Sequence, residues 1–296
     1  MSASDHSSPS LVAKFFSPQP TKLKEPLAAT GKAGRNLPAA VSTAVVLILF
    51  VGICLFYVPP LLTLFIVLAS LAGLYELGGA FAHLETKLTM APLYAGAIGM
   101  VTCAWSLGAE ALLFALYTTI FAVVAWRILD PNPKGRINDV IASVFAALYV
   151  PFLASFVVLM MRQFANPWVV LTYVGLVVAS DTGGWVAGVL FGKHPMAPRL
   201  SPKKSWEGFI GSTIGSVALG GLAFWALGGH WAFGFLAGVV ACVVGTLGDL
   251  TESLIKRETG LKDMSQILPG HGGVLDRIDA LLMVAPLMFM IFTWTL

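Results

Sequence analysis

PWVVLTYVGLVVASDTGGWVAGVLF, residues 167–191, carries a single charged side chain, Asp181. An apolar run of this kind has no polar stripe to turn toward water, so it does not suit the surface of a soluble core. As a helix it is long enough for a hydrocarbon layer about 30 Å thick, which takes about 20 apolar residues. Working outward, eight more segments have the same character: 38–58, 61–82, 91–107, 109–129, 139–161, 209–228, 231–252 and 278–296. Pro59-Pro60, Ala91-Pro92, Pro131-Asn132-Pro133 and Asn166-Pro167 separate them as helix breakers do. The expected fold is all-α: a polytopic integral membrane protein of about nine transmembrane helices.

Composition agrees. The 296 residues are 57% hydrophobic and 11% charged, with a mean hydropathy of +0.83, whereas soluble domains carry roughly 25% charged residues. A net charge of +3 is too small for a nucleic-acid binder. Cys54, Cys103 and Cys242 lie inside apolar runs and outside any metal-binding spacing, which reads as buried small hydrophobes.

Orientation follows from Lys and Arg. With nine crossings and the N-terminus inside, 17 of the 18 basic residues fall on the inner side, and Arg162 alone falls outside. That predicts a cytoplasmic N-terminus and an outer C-terminus. Residues 1–36 read as a disordered N-terminal tail, 37–165 as a transmembrane scaffold and 166–296 as a catalytic transmembrane region. No residue of the scaffold declares a function. The polar material gathers in two inner loops, 192–208 and 253–277, each beside a helix that carries carboxylates.

Those carboxylates are costly. A charge at a helix centre costs about 2.5–3.5 kcal/mol on insertion scales, so such residues usually face a cavity and have a task. Asp181 is one. Asp249, Glu252, Ser253 and Lys256 fall at i, i+3, i+4 and i+7, on one helical face. Asp276 and Asp279 repeat the i, i+3 spacing at the start of the last helix, where negative charge is favoured. A purely structural alternative makes Asp276 a helix cap and pairs Asp249 with Lys256. Two acidic clusters flanking one basic, glycine-rich loop instead suit a Mg²⁺ site holding a polyphosphate, because Mg²⁺ takes one or two carboxylates and completes its shell with water and phosphate oxygens. In that loop Gly270, Gly272 and Gly273 permit close backbone approach to a bulky anion, and Lys256, Arg257, Lys262 and Arg277 can neutralise phosphates.

The stretch from Ser253 to Asp279 resembles the signature of the phosphatidate cytidylyltransferase (CDP-diacylglycerol synthase) family: S-x-x-K-R, then K-D, then P-x-H-G-G-x-x-D-R-x-D. Ser180-Asp181-Thr182 is similar to the family's S-D-T, and residues 201–208, SPKKSWEG, to its S-P-K-K-T-W-E-G. Met264 departs from it, where many members carry a small polar residue. The likeness covers residues 167–280 by motif and the N-terminal half by hydropathy.

The resemblance implies that CTP and phosphatidic acid are converted to CDP-diacylglycerol and pyrophosphate by metal-dependent nucleotidyl transfer. It implies a bacterial inner-membrane protein among membrane lipids, with the site on the cytoplasmic face, and a homodimer. Asp249 and Asp276 are then the expected Mg²⁺ ligands, with Asp181 and Glu252 as additional ones and room for a second cation. Lys256, Arg257, Lys262 and Arg277 would hold the triphosphate. Lys203 and Lys204 would contact lipid phosphate or nucleotide, Ser205 the nucleotide. His271 would hydrogen-bond a phosphate, brace the glycine loop or act as a base. Two rivals remain: an ion-coupled transporter, suggested by Asp181 and the glycine-rich helices, and an enzyme acting on a different lipid phosphate.

Overall fold

The computed structural model describes residues 15–20, 46, 49–131, 136–265, 267 and 272–296. Helix α1 (Pro59–Ala82) starts at a proline pair, whose fixed φ suits a first helical turn. It is followed by α2 (Met90–Ser106), α3 (Ala109–Leu129) and α4 (Arg136–Ala147). A π-turn segment, Leu148–Phe152, joins α4 to α5 (Leu153–Phe164) and holds Pro151 inside the continuous helix. The wider turn absorbs a residue that would otherwise break the hydrogen-bond ladder.

Helix α6 (Pro167–Phe191) is capped by Asn166, whose side chain accepts from the Trp168 N–H at 3.1 Å. A two-stranded antiparallel ribbon follows, β1 (Pro195–Ala197) and β2 (Ser201–Ser205), with Pro195 opposite Ser205. The expected loop at 192–208 is therefore partly a hairpin. The chain ends in α7 (Trp206–Ala226), α8 (Trp231–Glu258) and α9 (Leu275–Thr295).

Seven described helices are long and apolar enough to cross a membrane: α1, α3, the α4–α5 unit from residue 137, and α6 to α9. The all-α polytopic class stands. Of the other two expected spans, 91–107 coincides with the 17-residue α2, and 38–58 is described at residues 46 and 49–58, helical at 46 and 49–57. Helix α8 is longer than expected and runs to Glu258, which puts Lys256 and Arg257 in its last turns rather than in a loop.

Close helix contact sets the C-terminal half. A Cβ added at Gly183 of α6 would lie 2.4 Å from the Gly211 carbonyl oxygen of α7, so these backbones meet where only glycine fits. The Tyr173 hydroxyl of α6 donates to the Leu281 carbonyl of α9 at 2.7 Å. In the N-terminal half, buried Arg127 pairs with Asp139 at 2.6 Å and fastens α3 to α4. Of the N-terminal tail, residues 15–20 are described. Phe15 stacks on Tyr94 with centroids 4.4 Å apart, and the Tyr94 hydroxyl donates to the Phe15 carbonyl at 3.1 Å. The rest of the tail lies outside the described residues.

Candidate active site

Helix α8 covers about 42 Å at 1.5 Å per residue, more than a hydrocarbon core of about 30 Å, so it must project beyond that core. Asp249 and Glu252 sit in its C-terminal third, beside the first two turns of α9 with Asp276 and Asp279 and the C-terminal half of α6 with Asp181. All five carboxylates line one cavity of about 300 Å³, together with Ser253 and Arg277. The two acidic pairs therefore converge.

The individual carboxylates are used differently. Asp249 forms an ion pair with Lys204 of β2, at the wall shared with a second cavity. The pairing of Asp249 with Lys256 weighed above is not made. Lys256 instead bridges Glu252 at 2.8 Å and Asp276 at 2.9 Å, largely buried between them. Helix periodicity named the face correctly, but the partner of Asp249 comes from another element.

Asp276 is the most occupied carboxylate. Besides Lys256 it accepts from the N–H groups of Gly273 at 2.7 Å and Met264 at 3.0 Å. Asp276 thus takes the lysine expected for Asp249 and gathers loop N–H groups rather than capping its own helix. Met264, the departure from the family pattern, is fully buried, and only its backbone reaches the site. Gly272 has a φ of +85°, and a Cβ on Gly273 would meet carboxylate oxygens of Glu76 and Asp276 at 2.8–3.0 Å. Both glycines serve the tight approach of this loop to carboxylates. Gly270 and His271 lie outside the described residues.

The second cavity, about 180 Å³, is lined by Lys203, Lys204, Ser205, Trp185 and the small residues of the α6–α7 seam, and it shares Asp181 and Asp249 with the first. Ser205 caps α7, its hydroxyl accepting from the Gly208 N–H at 3.1 Å. Arg257 is exposed and donates through Nε to the Leu200 carbonyl at 3.2 Å, tying the end of α8 to the hairpin. Lys262 is exposed on the loop after α8.

Two buried polar atoms at the acidic cavity lack a partner among the described residues. Glu252 accepts from Lys256 through Oε2, and its Oε1 lacks a donor. The Tyr149 hydroxyl, on the π-turn segment, is likewise unpartnered and within electrostatic reach of Asp279, Glu252 and Asp249. Five carboxylates here face three cations, Lys204, Lys256 and Arg277. An excess of negative charge with an orphaned carboxylate oxygen fits a bound cation. Among the described residues no three His, Cys, Asp or Glu side chains meet tightly enough to enclose an ion alone. Mg²⁺, which keeps waters and takes substrate oxygens, does not need them to.

From the N-terminal half, where the sequence declares no functional residue, Glu76 of α1 reaches the loop beside this cavity. It is 1% exposed and accepts from Ser265 Oγ at 2.6 Å and from the Val274 and Leu275 N–H groups, each at 2.8 Å. The argument applied to Asp181, an acid in an apolar helix, would have found it.

The chain is similar to known proteins over most of its length. The model of the "Cytidylyltransferase family" matches residues 38–295. A phosphatidate cytidylyltransferase of Mycobacterium bovis is 35% identical, over 91% of this chain and 92% of that protein. The one from Mycobacterium leprae is 34% identical over 90% and 89%. The Haemophilus influenzae protein of that name is 41% identical, over 50% of this chain and 56% of its own length.

Proposed function

The chain belongs to the cytidylyltransferase family, and from that premise we propose that it is a phosphatidate cytidylyltransferase: a membrane nucleotidyltransferase that converts CTP and phosphatidate to CDP-diacylglycerol and pyrophosphate. The observation that carries the site assignment is the pair of cavities joined at Asp181 and Asp249, one acidic and one bearing Lys203 and Lys204.

The lipid phosphate attacks the α-phosphorus of CTP, and pyrophosphate leaves in line. A phosphate monoester near neutral pH is already largely dianionic, so no side-chain base is required. The obstacle is repulsion between two anions, and the residues act by position and charge. Lys203 and Lys204 receive the lipid phosphate in the smaller cavity, where exposed Trp185 offers an apolar rim for the acyl chains. Arg277, with Arg257 and Lys262 on the open side, holds the triphosphate. Lys256 keeps Glu252 and Asp276 apart and oriented. Asp249 and Asp276 would hold Mg²⁺, with Asp181 and Glu252 beside them. When bound, the ion supplies charge neutralisation at the phosphates and alignment of the leaving group. Ser205 has a structural duty as helix cap, so its contact with nucleotide is secondary.

The reading includes nine spans, a cytoplasmic N-terminus and a site at the cytoplasmic surface, on the strength of the basic-residue distribution, and a homodimer as the working assembly. Purified protein given radiolabelled CTP and a panel of lipid phosphates tests the activity. Label should enter a phosphatidate-derived product. Product from another lipid phosphate alone would change the substrate, and no lipid product under any condition would remove the enzyme reading.

A further inference from the structure

We propose that Glu76 is a positioning residue for the nucleotide half of the reaction, holding the loop between α8 and α9 in its working shape. The inference rests on the reading that this loop, with Asp276 and Arg277, receives CTP.

The loop is described at 259–265, 267 and 272–274 and has no regular element of its own across those residues. Two carboxylates hold it. Asp276 gathers the Met264 and Gly273 N–H groups from the α9 side. Glu76 gathers Ser265, Val274 and Leu275 from the α1 side. The same two stretches, 264–265 and 273–275, are thus stapled together twice, by acids from opposite halves of the chain.

Glu76 also replaces a cap. The first turn of α9 has no side-chain cap of its own, and its leading N–H groups would otherwise be orphaned beside the site. A carboxylate at that helix N-terminus is favoured electrostatically as well as by hydrogen bonding. Leu275, which it fixes, immediately precedes Asp276 and Arg277. Glu76 itself does not line the acidic cavity. It acts through the loop. Gly273 belongs to the same device, since any side chain there would strike the Glu76 carboxylate.

Steady-state kinetics on the purified full-length protein test this, with CTP and phosphatidate varied in turn. Glu76→Gln keeps the volume but turns an amide toward one of the three donors. It should lower kcat/KM for CTP by about 100-fold, the scale of a 1 Å misplacement, raise KM for CTP and leave KM for phosphatidate unchanged. In a Glu76→Ala background Ser265→Ala should cost less than it does in the wild type, because only the bond from the Ile267 N–H, 3.2 Å, is then left to lose. If the Ala variant does not fold, the split between the two KM values in Glu76→Gln decides alone. Activity that falls only with the folded fraction, both KM values unchanged, overturns the inference, as does a Ser265 effect as large in the Glu76→Ala background as in the wild type. Asp276→Asn serves as the reference. Near-normal turnover there would sink the site assignment itself, whereas an inactive Asp276→Asn beside a normal Glu76→Gln sinks only the role of Glu76.

Discussion

Asp249 and Asp276 face the same cavity but are held by it to different degrees. Asp249 has a side chain 28% exposed and, among the described residues, is paired with Lys204, an arrangement worth about 0–1 kcal/mol when solvent reaches it. Asp276 has a side chain 4% exposed and accepts from two backbone N–H groups and a lysine. Charged hydrogen bonds of this kind are worth about 1.5–3 kcal/mol each. Asn at either position should abolish turnover, but Asp249→Asn should melt close to wild type, while Asp276→Asn should be measurably less stable by thermal unfolding in detergent. Near-normal turnover in Asp249→Asn would remove it from the metal assignment. Ser205→Ala should cost about 1 kcal/mol of stability as a lost cap, with KM for CTP unchanged; a raised KM would restore its contact with nucleotide. At this scale the sequence made Asp181, Asp249 and Asp276 legible because a charge in an apolar run is expensive. Glu76 escaped, although it obeys the same rule, because its partners lie 189 to 199 positions away and two of them are backbone groups.

Among the elements, α6 and α7 depend on glycine more than on apolar side chains. Without a hydrophobic drive between helices in lipid, close approach through small residues supplies the attraction. Gly183→Ala would push a methyl carbon into the Gly211 carbonyl and should cost about 1–3 kcal/mol as overpacking, read as a lower melting temperature. Because Asp181 lies two residues away, activity should fall further than stability alone explains. An unchanged melting temperature would show that the seam can open without penalty. Helix positions were legible from apolar length and from the prolines that break it. The hairpin at 195–205 was not, since PMA and SPKKS show no alternation of apolar and polar residues. Nor was the extension of α8 to Glu258, because its last turns are polar and charged, and their helicity rests on local propensity and on contacts such as Arg257 to Leu200.

Across the whole molecule, the proposed chemistry gathers in α6 to α9, and Glu76 of α1 is hydrogen-bonded to the loop between α8 and α9. The proposed orientation places Lys262 on the cytoplasmic side and Gly228, in the α7–α8 turn, on the other. With Cys54, Cys103 and Cys242 replaced, a single cysteine at 262 should react with an impermeant maleimide only in inverted vesicles, and one at 228 only in right-side-out vesicles or intact cells. The reverse pattern would invert the topology and move the site to the wrong face for cytoplasmic CTP. The central claim is that acids from α8 and α9 together hold a cation that grips the nucleotide. Anomalous scattering from crystals grown with Mn²⁺ and a non-hydrolysable CTP analogue tests it most directly. A Mn²⁺ peak in contact with Asp249 and Asp276 and with a phosphate oxygen is the predicted result. A bound triphosphate with the ion elsewhere, and those two carboxylates touching neither, would contradict it.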